Sequence, residues 1–355
     1  MLKLKYKYYL LKLNHEFRIS RGSRSEAPLM LTSISFDGVD GFGEASMPTL
    51  YGESLESAVS FLSKINLEQF KDPFCTNEIL EYVDGLAEGN QAIKAAIDIA
   101  LHDLVGKLLS LPVHKYFGLS IKNPFTSMTI SIDTPEKMAA RALEFPDFKY
   151  LKIKLGTTND RAMIAAIRGV TKQPFFIDAN QGWSDKQEAL EFVHWLKEQN
   201  TVFIEQPMPK ACKDDLSWLS ANSPLPIIGD EGVQRLSDIR EASSIYHGIN
   251  IKLMKSTGLR EGFKMAISAK ALGMKVMLGC MSETSCAISA AAQLSALADW
   301  VDLDGNLDAA NDPYKGVIVK DGQLLLNNLP GIGLDAANWD NIQSSPLENN
   351  SLTLS

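Results

Sequence analysis

The 355-residue chain is predicted to be an α/β protein, a closed barrel of parallel strands alternating with helices, preceded by an α+β domain. Three observations carry this. Five short apolar runs between Tyr150 and Lys255 each end in a charged residue: Lys154, Asp178, Glu205, Asp230 and Lys252. Those ends lie 24, 27, 25 and 22 residues apart, about the length of a strand, a helix and two loops. The first 120 residues show no such period and read as an antiparallel meander followed by helices.

Taken in order, Leu2, Leu4, Tyr6, Tyr8 and Leu10 alternate with lysines as a half-buried strand should. Leu29–Phe36 and Val39–Ala45 follow as strands around the Asp37-Gly38 turn. Between the first two strands, Phe17 to Arg24 reads as a polar loop with three arginines, Arg18, Arg21 and Arg24. Ser54 suits a helix start. From Gln91 to Leu109, apolar residues recur every three or four positions, giving one apolar stripe, and Leu111-Pro112 ends that helix. Ser127–Ile132, the five charged runs, Lys275–Gly279 and Trp300–Asp304 make eight short strands, which favours a barrel over an open doubly wound sheet. Val317–Val319 and Leu324–Leu326 form a hairpin assigned to the N-terminal sheet. The domains expected are therefore 1–120, completed by 317–340, then a barrel over 121–316 and a polar, disordered tail over 341–355.

Composition excludes little, but it does set the class. Hydrophobic residues make up 45% and charged residues 22% of the chain, ordinary for a globular protein. The net charge of −8 argues against nucleic acid as a partner. The longest uncharged run, Thr284–Ala298, is too short and too polar for a membrane span. Four cysteines match no zinc spacing and are expected as reduced thiols; the apolar run Tyr8–Leu11 is too short for a secretory core, and with no membrane-length run the expected location is cytoplasmic. The five histidines show no paired metal spacing, and His102 reads as structural.

Charge at the end of buried strands is costly and asks for a reason. Barrel enzymes keep their sites at the C-terminal strand ends. Asp178, Glu205 and Asp230 brought together there repel one another unless a cation sits between them. Oxygen ligands without histidine or cysteine suit Mg²⁺, one per active site. Lys152 and Lys154 point into the barrel mouth by the strand period, away from Leu151 and Ile153. Lys154 and Lys252 flank the acidic trio, where each can act as a base towards the α-carbon of a metal-bound carboxylate. The metal would stabilise the resulting enediolate, and the partner lysine would return a proton to the opposite face.

At this point the motifs resemble the muconate-lactonizing-enzyme subgroup of the enolase superfamily. Lys152-Ile-Lys154, Asp178-Ala-Asn180-Gln-Gly-Trp183, Ile204-Glu205-Gln-Pro207, Gly229-Asp230-Glu231 and Asn250-Ile-Lys252-Leu-Met-Lys255 carry the likeness. Gly41-Phe-Gly-Glu44, Ala96-Ile-Asp-Ile-Ala-Leu-His-Asp103 and Pro330-Gly-Ile-Gly333 extend it over almost the whole chain. The resemblance implies a modified (β/α)₈ (TIM-type) barrel closed by an α+β capping domain built from both termini. Asp302-Leu-Asp304 resembles the pair with which the family's dipeptide epimerases hold a substrate ammonium, and two clustered carboxylates do prefer a cation. Gly279-Cys-Met281-Ser-Glu283-Thr also resembles the epimerase pattern. A dipeptide epimerase is thus expected, using two-base 1,1-proton transfer. Lys152, Met281 and Arg24 are assigned to the substrate, and Arg21 competes with Arg24 for an acidic side chain. The expected partner is a small-molecule dipeptide, with homo-oligomer formation left open. Cycloisomerase or N-acylamino-acid racemase chemistry on the same scaffold is the first alternative, and a metal-free Schiff-base lyase using Lys154 is the second.

Overall fold

The first three strands, β1 (Lys3–Ile19), β2 (Gly22–Phe36) and β3 (Val39–Ser46), form an antiparallel sheet in the order β1-β2-β3. The structure is a computed structural model that describes residues 1–19, 22–335 and 339–345. Two strands are longer than the sequence suggested. Phe17 pairs with Arg24, Arg18 with Ser23 and Ile19 with Gly22, after a register shift beyond Lys12. The expected polar loop is therefore the continuation of a β-hairpin. Arg21 lies outside the described residues.

Helices α1 (Leu55–Leu62), α2 (Thr76–Gly85), α3 (Gln91–Leu108) and α4 (Val113–Tyr116) follow. Ser54 caps α1: its hydroxyl oxygen accepts from Ser57 N, and its own N–H donates to Ser57 Oγ in return. α3 differs from its expected single stripe: every residue from Ala92 to Gly106 is buried, Lys94, Asp98, His102 and Asp103 included. It lies between the capping sheet and the barrel, so both faces are covered. Gly41 and Gly43 allow the close approach, because a Cβ there would meet Ala100 O and Ala96 O at 2.1 and 2.0 Å. Most of the buried polar groups on α3 find partners. Asp98 accepts from Leu259 N at 2.5 Å, and His102 Nδ1 lies 2.5 Å from the Tyr116 hydroxyl.

The barrel alternates β4 (Ser127–Ile130), α5 (Pro135–Leu143), β5 (Tyr150–Lys154), α6 (Asp160–Val170), β6 (Phe175–Asp178), α7 (Lys186–Glu198), β7 (Thr201–Glu205), α8 (Lys213–Asn222), β8 (Ile227–Gly229), α9 (Ile239–Ala242), β9 (Gly248–Ile251), α10 (Leu259–Ala271), β10 (Lys275–Gly279), α11 (Ser285–Ala292) and β11 (Trp300–Asp302). Eight strands pair in sequence order, parallel throughout. A parallel bridge from Thr126 to Val301 and the bond from Leu303 N to Thr126 Oγ1, 2.8 Å, draw the last strand to the first.

The C-terminal segment corrects two expectations. The hairpin β12 (Ile318–Lys320) and β13 (Gln323–Leu325) pairs with itself and touches the residues just before β4, through Phe125–Gln323 and Thr126 N to Gly322 O. It therefore sits at the entrance of the first barrel strand, away from the capping sheet. Short apolar hairpins carry no address, which is why the sequence misplaced it. The chain then returns to the cap. Ile332 N donates to Asp103, Trp339 stacks on Phe42, and Ser345 meets β1 at Tyr8 O and Leu10 N. The expected disordered tail is thus docked at residues 341–345; the remainder, 346–355, lies outside the described residues.

Cap and barrel meet at a buried carboxyl. Glu44 of β3 accepts from Thr284 N at 2.9 Å and from the Thr284 hydroxyl. Burial, then the nearby Glu283, pushes its pKa up to about 8. The fold favours the neutral acid, so this contribution to stability is complete below the ordinary value of 4.5 and is lost as pH rises through about 8. Each unit of such a shift is about 1.4 kcal/mol. Thermal denaturation is accordingly expected to show stability falling between about pH 5 and pH 9. Glu44→Gln should flatten that fall; an unchanged slope would rule out Glu44 as its source.

Candidate active site

The strand period that buries the barrel interior also builds the site. Phe176, Phe203, Ile228 and Met277 point inward and form a separate buried cluster. Tyr150, Phe176, Phe203 and Trp300 stack in succession, with ring centroids 4.7, 4.4 and 4.8 Å apart. Asp178 lies two residues beyond Phe176 and Glu205 two beyond Phe203, so the period of two sets both carboxylates over this aromatic floor. The floor excludes water beneath a layer of charge, which strengthens every interaction in that layer.

Asp178, Glu205 and Asp230, on consecutive strands, come together with ligand oxygens within 4.8 Å of one another, all buried. Lys154 Nζ lies 2.6 Å from Asp178 Oδ2, and Lys252 Nζ 2.8 Å from Asp230 Oδ2. β5 and β9 are four positions apart among eight strands, so the two ammonium groups approach the trio from opposite walls. Lys152 Nζ touches three carboxylates, at 2.6 Å to Asp302, 2.8 Å to Glu205 and 3.2 Å to Asp178.

The electrostatics follow from burial and these neighbours. Burial, then Asp178, raises the Glu205 carboxyl to about 7. Burial works against ionised Asp178 and Asp230 too, but the adjacent lysines outweigh it and hold both below their ordinary range. Burial likewise opposes the charges on Lys152 and Lys252, and the surrounding carboxylates overcome it. The trio fits a hard divalent cation by its donor set. One further feature agrees: Glu205 Oε1 accepts from Asn250 Nδ2 at 2.7 Å, while Oε2, near Lys152 but off hydrogen-bond geometry, has no hydrogen bond among the described residues.

Asp302 and Asp304 lie on the far side, and both line the same cavity of about 1110 Å³. They are not a free pair. Asp302 accepts from the Ser127 hydroxyl and Lys152, both at 2.6 Å, and Asp304 accepts from Thr129 N at 2.7 Å. Burial, then Asp302, raises the Asp304 carboxyl to about 6. The capping hairpin closes this end, with Arg18 O accepting from Ile132 N at 3.0 Å and Asn14 N donating to Asp308 O at 2.8 Å. Arg24 enters the cavity from that hairpin, donates to Ser282 Oγ at 3.0 Å, and has its Nε buried without a hydrogen-bond partner among the described residues. Met281 also lines the cavity; Glu283, whose role the motif left open, is buried and accepts from Met281 N at 2.9 Å.

Sequence reasoning missed several supporting residues. Gln206 Oε1 accepts from Asp230 N and Gly232 N, both at 3.0 Å, and so fixes the turn that carries Asp230. Asn180, Gln181 and Gln206 hold positive φ of 44°, 67° and 34° just beyond the strand ends, strain of a kind that gathers at functional sites. Tyr51 of the cap lines the cavity with Lys252 and Asp230. Gln206, Asn180 and Asn250 were visible inside the quoted motifs, whereas nothing in the sequence singled out Tyr51.

Comparison with known proteins agrees with this geometry. The description "Enolase C-terminal domain-like" matches residues 136–340, and "Mandelate racemase / muconate lactonizing enzyme, N-terminal domain" matches residues 8–118. The chain is 53% identical over 335 residues to an L-Ala-D/L-Glu epimerase of Bacteroides thetaiotaomicron, covering 94% of this chain and 88% of that protein. It superposes on the substrate-liganded L-Ala-D/L-Glu epimerase of Bacillus subtilis with a TM-score of 0.90 at 28% identity, covering 95% and 99% of the two chains. A dipeptide epimerase of Enterococcus faecalis, complexed with Mg and L-Leu-L-Tyr, gives 0.88 at 30% identity over 94% and 98%. With both halves matched and these likenesses spanning nearly the full length, the chain belongs to the mandelate racemase / muconate lactonizing enzyme family of the enolase superfamily, among its dipeptide epimerases.

Proposed function

We propose that this protein is a Mg²⁺-dependent dipeptide epimerase that inverts the C-terminal residue of its substrate by two-base proton transfer. The observation that carries the reading is the pair of lysines, Lys154 and Lys252, reaching one acidic trio from opposite walls. The name of the 53%-identical relative and the Mg-containing neighbour support it.

Asp178, Glu205 and Asp230 would hold the metal. A bound Mg²⁺ supplies Lewis-acid stabilisation of the charge that develops on the substrate carboxylate. Lys152 orients that carboxylate, because its ammonium already bridges towards the trio. The α-carbon then lies between Lys154 and Lys252. The neutral lysine on one side takes the α-proton, and the ammonium on the other donates its own to the opposite face. The roles reverse for the other isomer. Asp302 and Asp304 receive the substrate ammonium, which fixes the dipeptide's N-terminal end. The floor of Phe176 and Phe203 and the capping hairpin exclude water from the intermediate.

Arg24 selects the side chain. Burial lowers its proton affinity, and its Nε has no partner among the described residues. A desolvated guanidinium with an unused donor prefers a carboxylate. The preferred substrate is therefore a dipeptide ending in an acidic residue, such as L-Ala-D/L-Glu. Met281 contributes apolar wall beside it. Reduced cysteines fit a cytoplasmic location.

In D₂O, Lys154→Ala and Lys252→Ala are each expected to abolish inversion, with each variant still exchanging the α-proton of one isomer. Full exchange of both isomers in both variants would refute the two-base assignment. Activity should vanish with EDTA and return with Mg²⁺, and activity indifferent to the chelator would exclude the metal role. Arg24→Leu should weaken KM for L-Ala-L-Glu by about 10- to 100-fold, the scale of a hydrogen bond to a charged group. The same variant should leave a dipeptide with an apolar C-terminal residue nearly unaffected; equal losses for both would remove Arg24 from substrate selection.

A further inference from the structure

A fourth lysine buried beside the acidic trio takes no part in the chemistry above. Lys255 follows Lys252 by one turn, with Lys255 N donating to Lys252 O at 2.9 Å, so its side chain folds back beside that of Lys252. Its side chain is 1% exposed. Its ammonium is surrounded by acceptors from two strand ends: Asp230 O at 2.7 Å, Val233 O and Asn250 O at 3.1 Å each, and Asp230 Oδ1. Lys252 takes the other oxygen of the same carboxylate, Oδ2, at 2.8 Å. Two lysines therefore hold one carboxylate, one at each oxygen.

We infer that Lys255 is a positioning residue that fixes the plane of the Asp230 carboxylate and thereby places the amine of Lys252 at the α-carbon. The last torsion of an aspartate is broad and roughly two-fold, so its own rotamer does not fix where each oxygen lies. The stem of Lys252 is flexible as well, and its head is held at Asp230 Oδ2. Lys255 removes the freedom of the carboxylate, because three main-chain carbonyls anchor its ammonium. Asp230 then serves as a rigid link between a lysine that cannot move and one that must reach the substrate. On the opposite wall Asp178 is held differently: Lys154 and Lys152 both lie at its Oδ2, at 2.6 and 3.2 Å, and its far oxygen accepts from Asn180 N at 2.9 Å. The effect of Lys255 is thus confined to one face of the reaction. A lysine that merely staples the ends of β8 and β9 would act on both faces alike.

This inference rests on the two-base reading, and one experiment separates the two. Loss of the α-proton from L-Ala-L-Glu and from L-Ala-D-Glu is followed by NMR in D₂O for the wild type, Lys252→Ala and Lys255→Met. The isomer that stops exchanging in Lys252→Ala identifies the face served by Lys252. Lys255→Met should slow exchange of that isomer by about 100-fold more than exchange of the other, the loss expected for a misplacement of about 1 Å. Equal slowing of both isomers, with or without loss of Mg²⁺ binding in calorimetry, would overturn the role of Lys255, as would exchange at the wild-type rate. If circular dichroism shows that Lys255→Met does not fold, Lys255→Gln, which keeps a donor for Asp230 O, is read by the same comparison. A wild type that exchanges neither isomer would instead sink the epimerase reading itself.

Discussion

Burying a cluster of carboxylates and ammonium groups above an aromatic floor is unfavourable unless their charges cancel locally, and Lys152 is where the cancellation is made. Its ammonium touches Asp178, Glu205 and Asp302, which arrive from three different strands. Lys154 and Lys252 complete the balance at the edges. The barrel closes around this cluster, and the cluster in turn joins the last barrel strand to the interior through Asp302. Because Asp302 also accepts from Ser127 of β4, the same contact helps draw the first and last strands together. Stability of the closure and chemistry at the mouth therefore share their residues.

The cap is joined to this cluster by the segment that follows β10. Ser46 donates its hydroxyl to Ser282 O at 2.9 Å, Arg24 donates to Ser282 Oγ at 3.0 Å, and Glu44 takes both donors of Thr284. Two residues of the barrel, Ser282 and Thr284, thus receive three residues of the capping sheet, from β2 and β3, beside Met281 in the cavity wall. On the other side, Asp98 of the buried helix α3 caps α10, whose chain begins a few residues after Lys255. The cap is therefore placed relative to the lysines and the acidic trio through main-chain and side-chain bonds on both flanks. A specificity arginine carried on a hairpin needs that placement, since its guanidinium must meet a side chain whose α-carbon is held by the barrel.

Much of the site was legible because buried charge is rare. Lys154, Asp178, Glu205, Asp230 and Lys252 stood out as charges ending apolar runs, and they lie at the barrel mouth. Asp302 was legible for the same reason, but its engagement with Lys152 was not: 150 residues separate the two, and only closure of the barrel makes them neighbours. Phe17–Ile19 and Gly22–Arg24 read as loop because their pairing follows a register shift beyond Lys12 that no local pattern announces. The all-round burial of α3 was hidden because its polar residues, such as Lys94 and Asp98, are satisfied by partners distant in sequence or on other elements.

The sequence by itself determined the strand–helix period, the side chains that face the barrel mouth and the oxygen-only character of the acidic trio. These depend on local spacing and on the chemistry of each residue, which the chain carries wherever it folds. Tertiary structure alone decided which carboxylate pairs with which lysine, that Asp302 and Asp304 are already engaged, and that Arg24 reaches the cavity with a donor unused. It also decided where the C-terminal hairpin rests. Those outcomes depend on contacts between distant segments, and such contacts are fixed only when packing brings the strand ends into one ring.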